Sequence, residues 1–279
     1  IGSTPLAGST VVHVLATKLL PGVVDPSGLA PADVAIVWLI RLPRVLVAVV
    51  VGAGLATAGA IMQGLFRNPL AEPSLTGVGP GAVLGAVITF VTGWSTVSVV
   101  ALPIAAIVAA LLSLFLVYAI ATRGGATPIT TLLLAGIAVG SFLSAVSSLL
   151  LSLNIITWQV AQDIVFWTMG GLDSRTWAHV WLSAPFVLLG LVAALVQTRT
   201  LDLLLLGEDS AAALGVDVEA AKRLLVFTAA LLTGASVAVA GLVGFVGLVV
   251  PHASRLLLGP SHRTLIPASA IGGAAFLVC

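Results

Sequence analysis

Long apolar stretches separated by short polar breaks make up most of the chain. A helix that crosses a membrane needs about 20 consecutive apolar residues for a core of about 30 Å, and several stretches reach that length. Residues 73–122 carry no charge and are too long for one crossing, so the break at Gly93-Trp94-Ser95-Thr96 predicts two. Before residue 198 we therefore predict crossings at 45–65, in each half of 73–122, at 130–153 and at 180–196.

Two stretches are too polar to cross. Residues 1–37 contain four prolines and three charged residues, so we expect no more than an interfacial helix at 11–20. Residues 154–178 combine three tryptophans with three charges, which is typical of an aromatic belt at a membrane surface. The final run, 265–279, is too short for a crossing, and together with the isoleucine at position 1 it indicates a chain truncated at both ends.

A charged strip at residues 198–223 interrupts the apolar pattern. It holds eight of the 21 charged residues of the chain, which are 11 basic and 10 acidic. Because so many charges require water, and because the strip is rich in Ala and Leu, it predicts one or two short helices outside the membrane. Gly207 and Gly215 divide the strip, with a helical turn at 211–214 between them, and we expect a soluble partner to bind there.

The uncharged run at residues 224–254 permits either one long crossing or two short ones divided near Gly241 and Gly244. With two crossings and the charged strip in the cytoplasm, seven basic residues lie inside and four outside, in line with the positive-inside rule. One crossing gives five inside and six outside, which favours neither orientation. We therefore predict about eight crossings, in an all-α, polytopic membrane helical bundle that forms a single domain over residues 1–279.

The composition agrees with a membrane protein. Mean hydropathy is +1.22, and only 8% of the residues are charged, against about 25% in soluble domains. A net charge of +1 without a basic cluster gives no indication of nucleic-acid binding. The single cysteine, Cys279, excludes a disulfide framework and a cysteine-based metal site. The sequence contains no nucleotide-binding, zinc-protease or serine-hydrolase motif, so we expect a non-catalytic chain without a metal or cofactor.

Ser141, Ser144 and Ser148 form one stripe on the helix predicted at 130–153, because offsets of three and seven residues return to the same face. Serine in membrane helices commonly forms a hydrogen bond to a neighbouring helix, and we favour this interpretation over a stripe that lines a polar translocation pathway. No acidic residue lies securely within a crossing, which disfavours a proton- or ion-coupled secondary transporter. Energy for transport would then come from a partner at the charged strip, or the protein would be a passive channel or a structural protein.

Four blocks of sequence resemble one known family. They are Arg41-Leu-Pro-Arg44 with the stretch through Arg67-Asn-Pro-Leu-Ala-Glu-Pro73 to Gly81-Ala82, then Phe166-Trp-Thr-Met-Gly-Gly-Leu172, then Leu206-Gly-Glu208 with Ala211 and Leu214-Gly-Val216, and finally Gly244-Phe-Val-Gly-Leu-Val-Val-Pro-His252 with Arg255, Gly259 and His262-Arg263. Their order and spacing are similar to those of the permeases of iron-siderophore, haem and cobalamin ABC importers, the FecCD type. The resemblance extends from about residue 2 to the end of the chain.

The resemblance implies ten membrane helices per subunit and a homodimer with the pathway on its two-fold axis. Two ATP-binding subunits, which bind ATP and Mg²⁺, would dock on the charged strip and make it a cytoplasmic coupling segment. A periplasmic binding protein would dock on the other side of the bacterial inner membrane, where Arg41 and Arg44 match family arginines that pair with its glutamates. The coupling residues implied are Gly207, Glu208, Ala211, Leu214 and Gly215.

The family transports large iron chelates, haem and corrinoids. The stretch from Met62 to Pro73 is most similar to haem permeases, although it faces the cytoplasm in the predicted topology and cannot select a cargo there. No clear axial ligand for haem iron lies within a crossing, which agrees with a cargo that passes without being held. We expect haem as the cargo, with a ferric siderophore or cobalamin as the alternative.

Overall fold

The computed structural model describes residues 6–25, 27–153 and 157–279. In these ranges the chain is mostly helical and contains no β-strand. A π-helical turn (Ile36–Arg41) joins α2 to α3, and a 3₁₀ turn (Pro73–Thr76) precedes α4. The α-helices are α1 (Gly8–Leu19), α2 (Pro31–Ala35), α3 (Leu42–Leu65), α4 (Val78–Val91), α5 (Trp94–Val97), α6 (Ala101–Ala121), α7 (Ile129–Ser152), α8 (Trp158–Met169), α9 (Trp177–Val196), α10 (Thr198–Leu205), α11 (Glu208–Ala213), α12 (Val218–Ala240), α13 (Val246–Leu258) and α14 (His262–Val278).

Among the described residues, five helical segments are long and apolar enough to cross a membrane: Pro31–Leu65, α6, α7, α9 and α12. Two shorter apolar helices, α4 and α13, lie where the sequence predicts two further crossings, and α14 covers the final run, which the sequence pattern leaves too short for one. The predicted fold class, a polytopic helical membrane bundle, is therefore confirmed. Both predicted breaks are present, because the short α5 separates α4 from α6, and residues 241–245 separate α12 from α13.

The first long helix begins earlier than the sequence pattern predicts. It runs without interruption over 35 residues from Pro31 to Leu65, whereas the apolar pattern starts the crossing at Val45 and leaves residues 1–37 outside it. Pro31 favours a helix start, because the first N–H of a helix has no intrahelical partner and proline lacks that group. Pro43 is the second residue after the π-helical turn, and the altered hydrogen-bond spacing there accommodates a residue without a donor.

The helix α3 is the centre of the bundle, and α9, α12, α13 and α14 pack around it. Every residue from Val51 to Leu65 is buried. Gly52 lies against Gly273 of α14 and Gly59 against Gly247 of α13, so closely that a β-carbon on either α3 glycine would overlap a carbonyl oxygen of the other helix. Membrane helices use small residues in this way because lipid provides no hydrophobic drive for association, so close backbone packing supplies the attraction.

Charged or tryptophan side chains make polar contacts between elements at both ends of the bundle. At one end, which we call the strip end, the charged strip contacts the turn between α6 and α7 and the start of α14. At the opposite end, Arg44 forms an ion pair with Asp173, and the indole of Trp177 donates a hydrogen bond to the carbonyl of Trp38. The apolar helices between the two ends have the arrangement expected of a protein with a water-exposed surface on each side of a membrane.

Candidate functional site

The charged strip folds into α10, α11 and the first turn of α12. Gly207 and Gly215 interrupt it as predicted, with φ angles of +110° and +87° in the left-handed region that favours glycine. The helical turn predicted at 211–214 forms the end of a longer helix, because α11 runs from Glu208 to Ala213 and Leu214 is its C-terminal cap. Glu208 and Asp209 occupy its first turn, where carboxylates interact favourably with the unpaired backbone N–H groups of a helix start.

The segment around α11 has a buried side and an exposed side. Ala211 is fully buried within the main core cluster, so it attaches α11 to the bundle. Leu206 and Leu214 flank α11 and are 64% and 61% exposed. Large apolar side chains that stand open on a charged surface suit contact with a protein partner. The coupling role of this segment stays a prediction.

Lys222 differs from the sequence prediction. The sequence pattern counts it among the water-exposed charges of the strip, but its side chain is only 3% exposed. Its Nζ lies 3.0 Å from Glu208 Oε2 and 2.6 Å from Glu219 Oε1, and it donates a hydrogen bond to the carbonyl oxygen of Thr127 at 2.8 Å. The ammonium group can be buried because two carboxylates and a carbonyl replace the water that it loses.

Asp202 of α10 makes a second long-range contact at the strip end. Its Oδ1 accepts a hydrogen bond from the backbone N–H of His262 at 2.8 Å and lies 2.7 Å from the Nδ1 atom of the same residue. Ser261 Oγ donates a hydrogen bond to Oδ2 at 3.3 Å. The carboxylate therefore caps the start of α14 from another helix. His262 is fully buried against Gly64, so this contact connects α10 with both α14 and α3.

The serine stripe of α7 points away from the rest of the chain. Ser141, Ser144 and Ser148 are all exposed, whereas Ser147 is buried and donates a hydrogen bond to the Leu143 carbonyl of its own helix. Hydrogen bonding to a neighbouring helix of the same chain, which the sequence pattern favours, therefore does not account for the stripe. Its place in a translocation pathway stays a prediction.

A shallow, wide-open cavity of about 470 Å³ lies beside this serine face on the outside of the chain. The 3₁₀ turn packs directly against α7 there. The contact is so close that a β-carbon on Gly136 would overlap the carbonyl oxygen of Leu75. Hydroxyl groups, small residues and aliphatic side chains form the lining, and none of the lining residues carries a charge. They include Ser74, Pro80, Ile137, Gly140, Ser141 and Ser144.

At the opposite end, Arg41 and Arg44 lie on the helix Pro31–Leu65. Arg44 has a partner within the chain, because its Nη2 atom lies 3.0 Å from Asp173 Oδ1 in an exposed ion pair. Burial lowers the pKa of the Arg175 guanidinium, and the nearby Asp173 carboxylate opposes that shift. Asp173 thus offsets part of the positive charge at this end. Docking of a binding protein on Arg41 and Arg44 stays a prediction.

Comparisons with known proteins agree with this architecture. The model of the FecCD transport family matches residues 1–279. The chain is 42% identical to the cobalamin import system permease protein of Halobacterium salinarum, over 99% of this chain and 77% of that protein. It is 41% identical to the hemin transport system permease protein of Yersinia pestis, over 87% of this chain and 73% of that protein. Its fold matches the structure of a metal-chelate type ABC transporter in an inward-facing conformation, with a TM-score of 0.83, 30% identity, and coverage of 97% of this chain and 87% of the other.

The resemblance inferred from the four motif blocks is confirmed. The matched region includes the charged strip, the serine face of α7 and the central helix α3. The chain therefore belongs to the FecCD transport family, and it is a multi-pass membrane permease of an ABC importer.

Proposed function

We propose that this permease moves an intact metal chelate, with haem as the cargo, from a periplasmic binding protein across the bacterial inner membrane into the cytoplasm. The observation that carries the proposal is the cavity beside the serine face. Its lining residues offer hydroxyl and aliphatic groups but no charge and no histidine, so the metal of a chelate would keep its own ligands during passage. A mixed lining of this kind suits a large cargo with both polar and apolar edges.

A second copy of the chain would complete the pathway. The hydroxyl groups of Ser141, Ser144 and Ser148 are exposed on the isolated chain, and such groups favour water over hydrocarbon. The neighbouring side chains Leu134 and Phe142 are 62% and 65% exposed and suit lipid or another helix. A homodimer that encloses the two serine faces on its axis satisfies both kinds of surface.

Partner subunits would supply the energy. Two ATP-binding subunits, one for each copy, would bind the strip at residues 198–223 through the exposed side of α11, and ATP with Mg²⁺ would bind to those subunits. The charged residues make the strip soluble, and the exposed Leu206 and Leu214 give a partner apolar side chains to cover. In this proposal the permease transmits movement and catalyses no reaction.

Cargo uptake into proteoliposomes tests the proposal. The complete importer, with its ATPase subunits and binding protein, is expected to accumulate haem only when ATP is present. Cobalamin is the second candidate, because the relative matched over 99% of this chain is named for cobalamin import. Uptake of cobalamin or a ferric siderophore in place of haem would overturn the haem assignment, and uptake of none of the three would overturn the proposal of a chelate permease.

Reversal of the two arginine charges is expected to weaken docking of the binding protein. Exposed ion pairs contribute only ~0.2–1 kcal/mol each, and partly desolvated pairs at an interface contribute more. The double variant Arg41→Glu with Arg44→Glu turns two attractive contacts into repulsive ones. Affinity for the binding protein should therefore fall by about tenfold or more, where each tenfold loss corresponds to about 1.4 kcal/mol. The affinity of the detergent-solubilised importer for the binding protein measures this, at low and high salt.

The control is Asp173→Asn, which removes the local partner of Arg44 and leaves both arginines in place. This variant should bind the binding protein at least as tightly as the wild type. The loss of affinity caused by the double charge reversal should be smaller at high salt, because screening already weakens the wild-type contacts. Equal affinities of wild type and charge reversal at low salt would show that the arginines do not dock the binding protein.

A further inference from the structure

Lys222 connects three parts of the strip end through one side chain. An ammonium group has three N–H donors, and three acceptors surround this one: Glu208 Oε2, Glu219 Oε1 and the carbonyl oxygen of Thr127. Glu208 is the first residue of α11, Glu219 lies in the first turn of α12, and Thr127 belongs to the turn between α6 and α7. All three donors are therefore occupied within the chain.

Thr127 is held at both of its backbone groups. Its N–H donates a hydrogen bond to Glu219 Oε2 at 3.0 Å, while its carbonyl oxygen accepts from Lys222. Backbone hydrogen bonds close the rest of the turn between α6 and α7. Because α7 begins at Ile129, directly after this turn, the contacts of Thr127 determine the position of the first turn of α7.

The three parts resist separation. If Glu208 or Glu219 moved away, the ammonium group of Lys222 would stay buried with one charged partner fewer. Loss of a partner is costly for a buried charge. The distance of 2.6 Å between Nζ and Glu219, and that of 3.0 Å to Glu208, indicate charge-assisted hydrogen bonds. The start of α11, the first turn of α12 and the start of α7 are therefore expected to move as one unit.

We propose that Lys222 is a positioning residue that passes movement of α11 on to α7. The proposal rests on the proposed function, in which ATPase subunits move the charged strip and the serine face lines the pathway. The helix α7 is continuous over 24 residues. Ser141 and Ser144 lie about three to four turns after its start, so displacement of the first turn also displaces these two residues.

The test uses the complete importer in proteoliposomes. It measures the ratio of cargo molecules imported to ATP molecules hydrolysed. Lys222→Met keeps the length of the side chain and removes its charge and donors. This variant is expected to lower the number of cargo molecules imported per ATP by roughly tenfold, which is a usual size for coupling between distant sites. Lys222→Arg, which keeps the charge, should recover part of the ratio, and a residue that only stabilised the fold would leave the ratio unchanged. The matched control is Lys18→Met, a change of the other lysine of the chain, which is exposed on α1.

A distance measurement keeps the test independent of cargo and of folding defects in Lys222→Met. Spin labels at positions 130 and 209, in a variant that lacks Cys279, report the separation of α7 from α11 within the assembled complex. In an otherwise unchanged chain this distance should be the same with and without ATP. Glu208→Ala detaches α11 from the ammonium group but leaves Lys222 paired with Glu219, so the chain should fold, and its distance should change with nucleotide.

An unchanged import ratio in Lys222→Met would overturn the proposal. So would a distance between α7 and α11 that depends on nucleotide while Lys222 and Glu208 are present. A wild-type complex that imports no chelate contradicts the proposed function alone, because the distance measurement still reports whether α11 and α7 move together.

Discussion

Replacement of Gly59 by alanine is expected to prevent α13 from packing on α3 and to leave little folded permease. A β-carbon at this position overlaps the carbonyl oxygen of Gly247, which belongs to backbone and cannot turn away as a side chain can. The two helices would have to move apart along a fully buried part of α3, and the close contact that holds them would be lost. Overpacking of this kind costs about 1–3 kcal/mol, and more where backbone must shift.

The matched control is Gly234→Ala, in the equally buried helix α12. The nearest atom to a β-carbon there is Ala110 Cβ at 3.5 Å, which is an ordinary contact. Alanine also favours a helix interior over glycine by about 0.5–1 kcal/mol, so this variant should be as stable as the wild type or more so. Thermal unfolding and size-exclusion profiles in detergent measure both variants. Equal melting temperatures for the two would show that the contact of Gly59 with Gly247 does not support the fold.

Ser144→Phe is expected to reduce import to background while the importer still assembles. The side chain is exposed beside the cavity next to α7, so a benzyl group has room to stand in the proposed pathway without disturbing the core. Leu149→Phe is the matched control, because Leu149 is also exposed on α7 but lies five residues from Ser144, about 140° round the helix, where an aromatic group extends an apolar surface. This control should import at close to the wild-type rate.

Labelling with a water-soluble thiol reagent tests the same position directly. A cysteine placed at 144, in a chain without Cys279, should react in at least one nucleotide state of the assembled importer. Failure to react in every state, together with normal import by Ser144→Phe, would exclude the serine face from the pathway.

The apolar pattern located most helices because the length of an apolar run is a local property. The structure places α7 at Ile129–Ser152 and α9 at Trp177–Val196, each close to the predicted stretch. The start of the first long helix was misplaced because Asp33 and Arg41 counted against a crossing, although a helix can continue into water beyond the membrane. Sequence alone therefore indicates where a crossing lies better than where its helix begins.

The contacts of the candidate site depend on residues that are distant in sequence. Lys222 is separated by 95 positions from Thr127, and Asp202 by 60 from His262. A charged residue within a polar strip gives no local signal that it is buried, so its partners could be identified only from the fold. The spacing of the serines predicted their common face, but whether that face meets a helix of the same chain depends on the packing of α7.

The helix from Pro31 to Leu65 is longer than a membrane is thick. At 1.5 Å per residue, its 35 residues extend over about 52 Å, against a hydrocarbon core of about 30 Å. A tilt large enough to hide the whole helix in that core would exceed the roughly 40° observed for membrane helices, so part of the helix extends beyond the hydrocarbon core. The π-helical turn Ile36–Arg41 and Pro43 lie within this helix, and π-helical turns and prolines are the common places for a helix to bend. A push on the end at Pro31 would therefore bend the helix at this turn before it displaced the buried part of α3 from Val51 to Leu65.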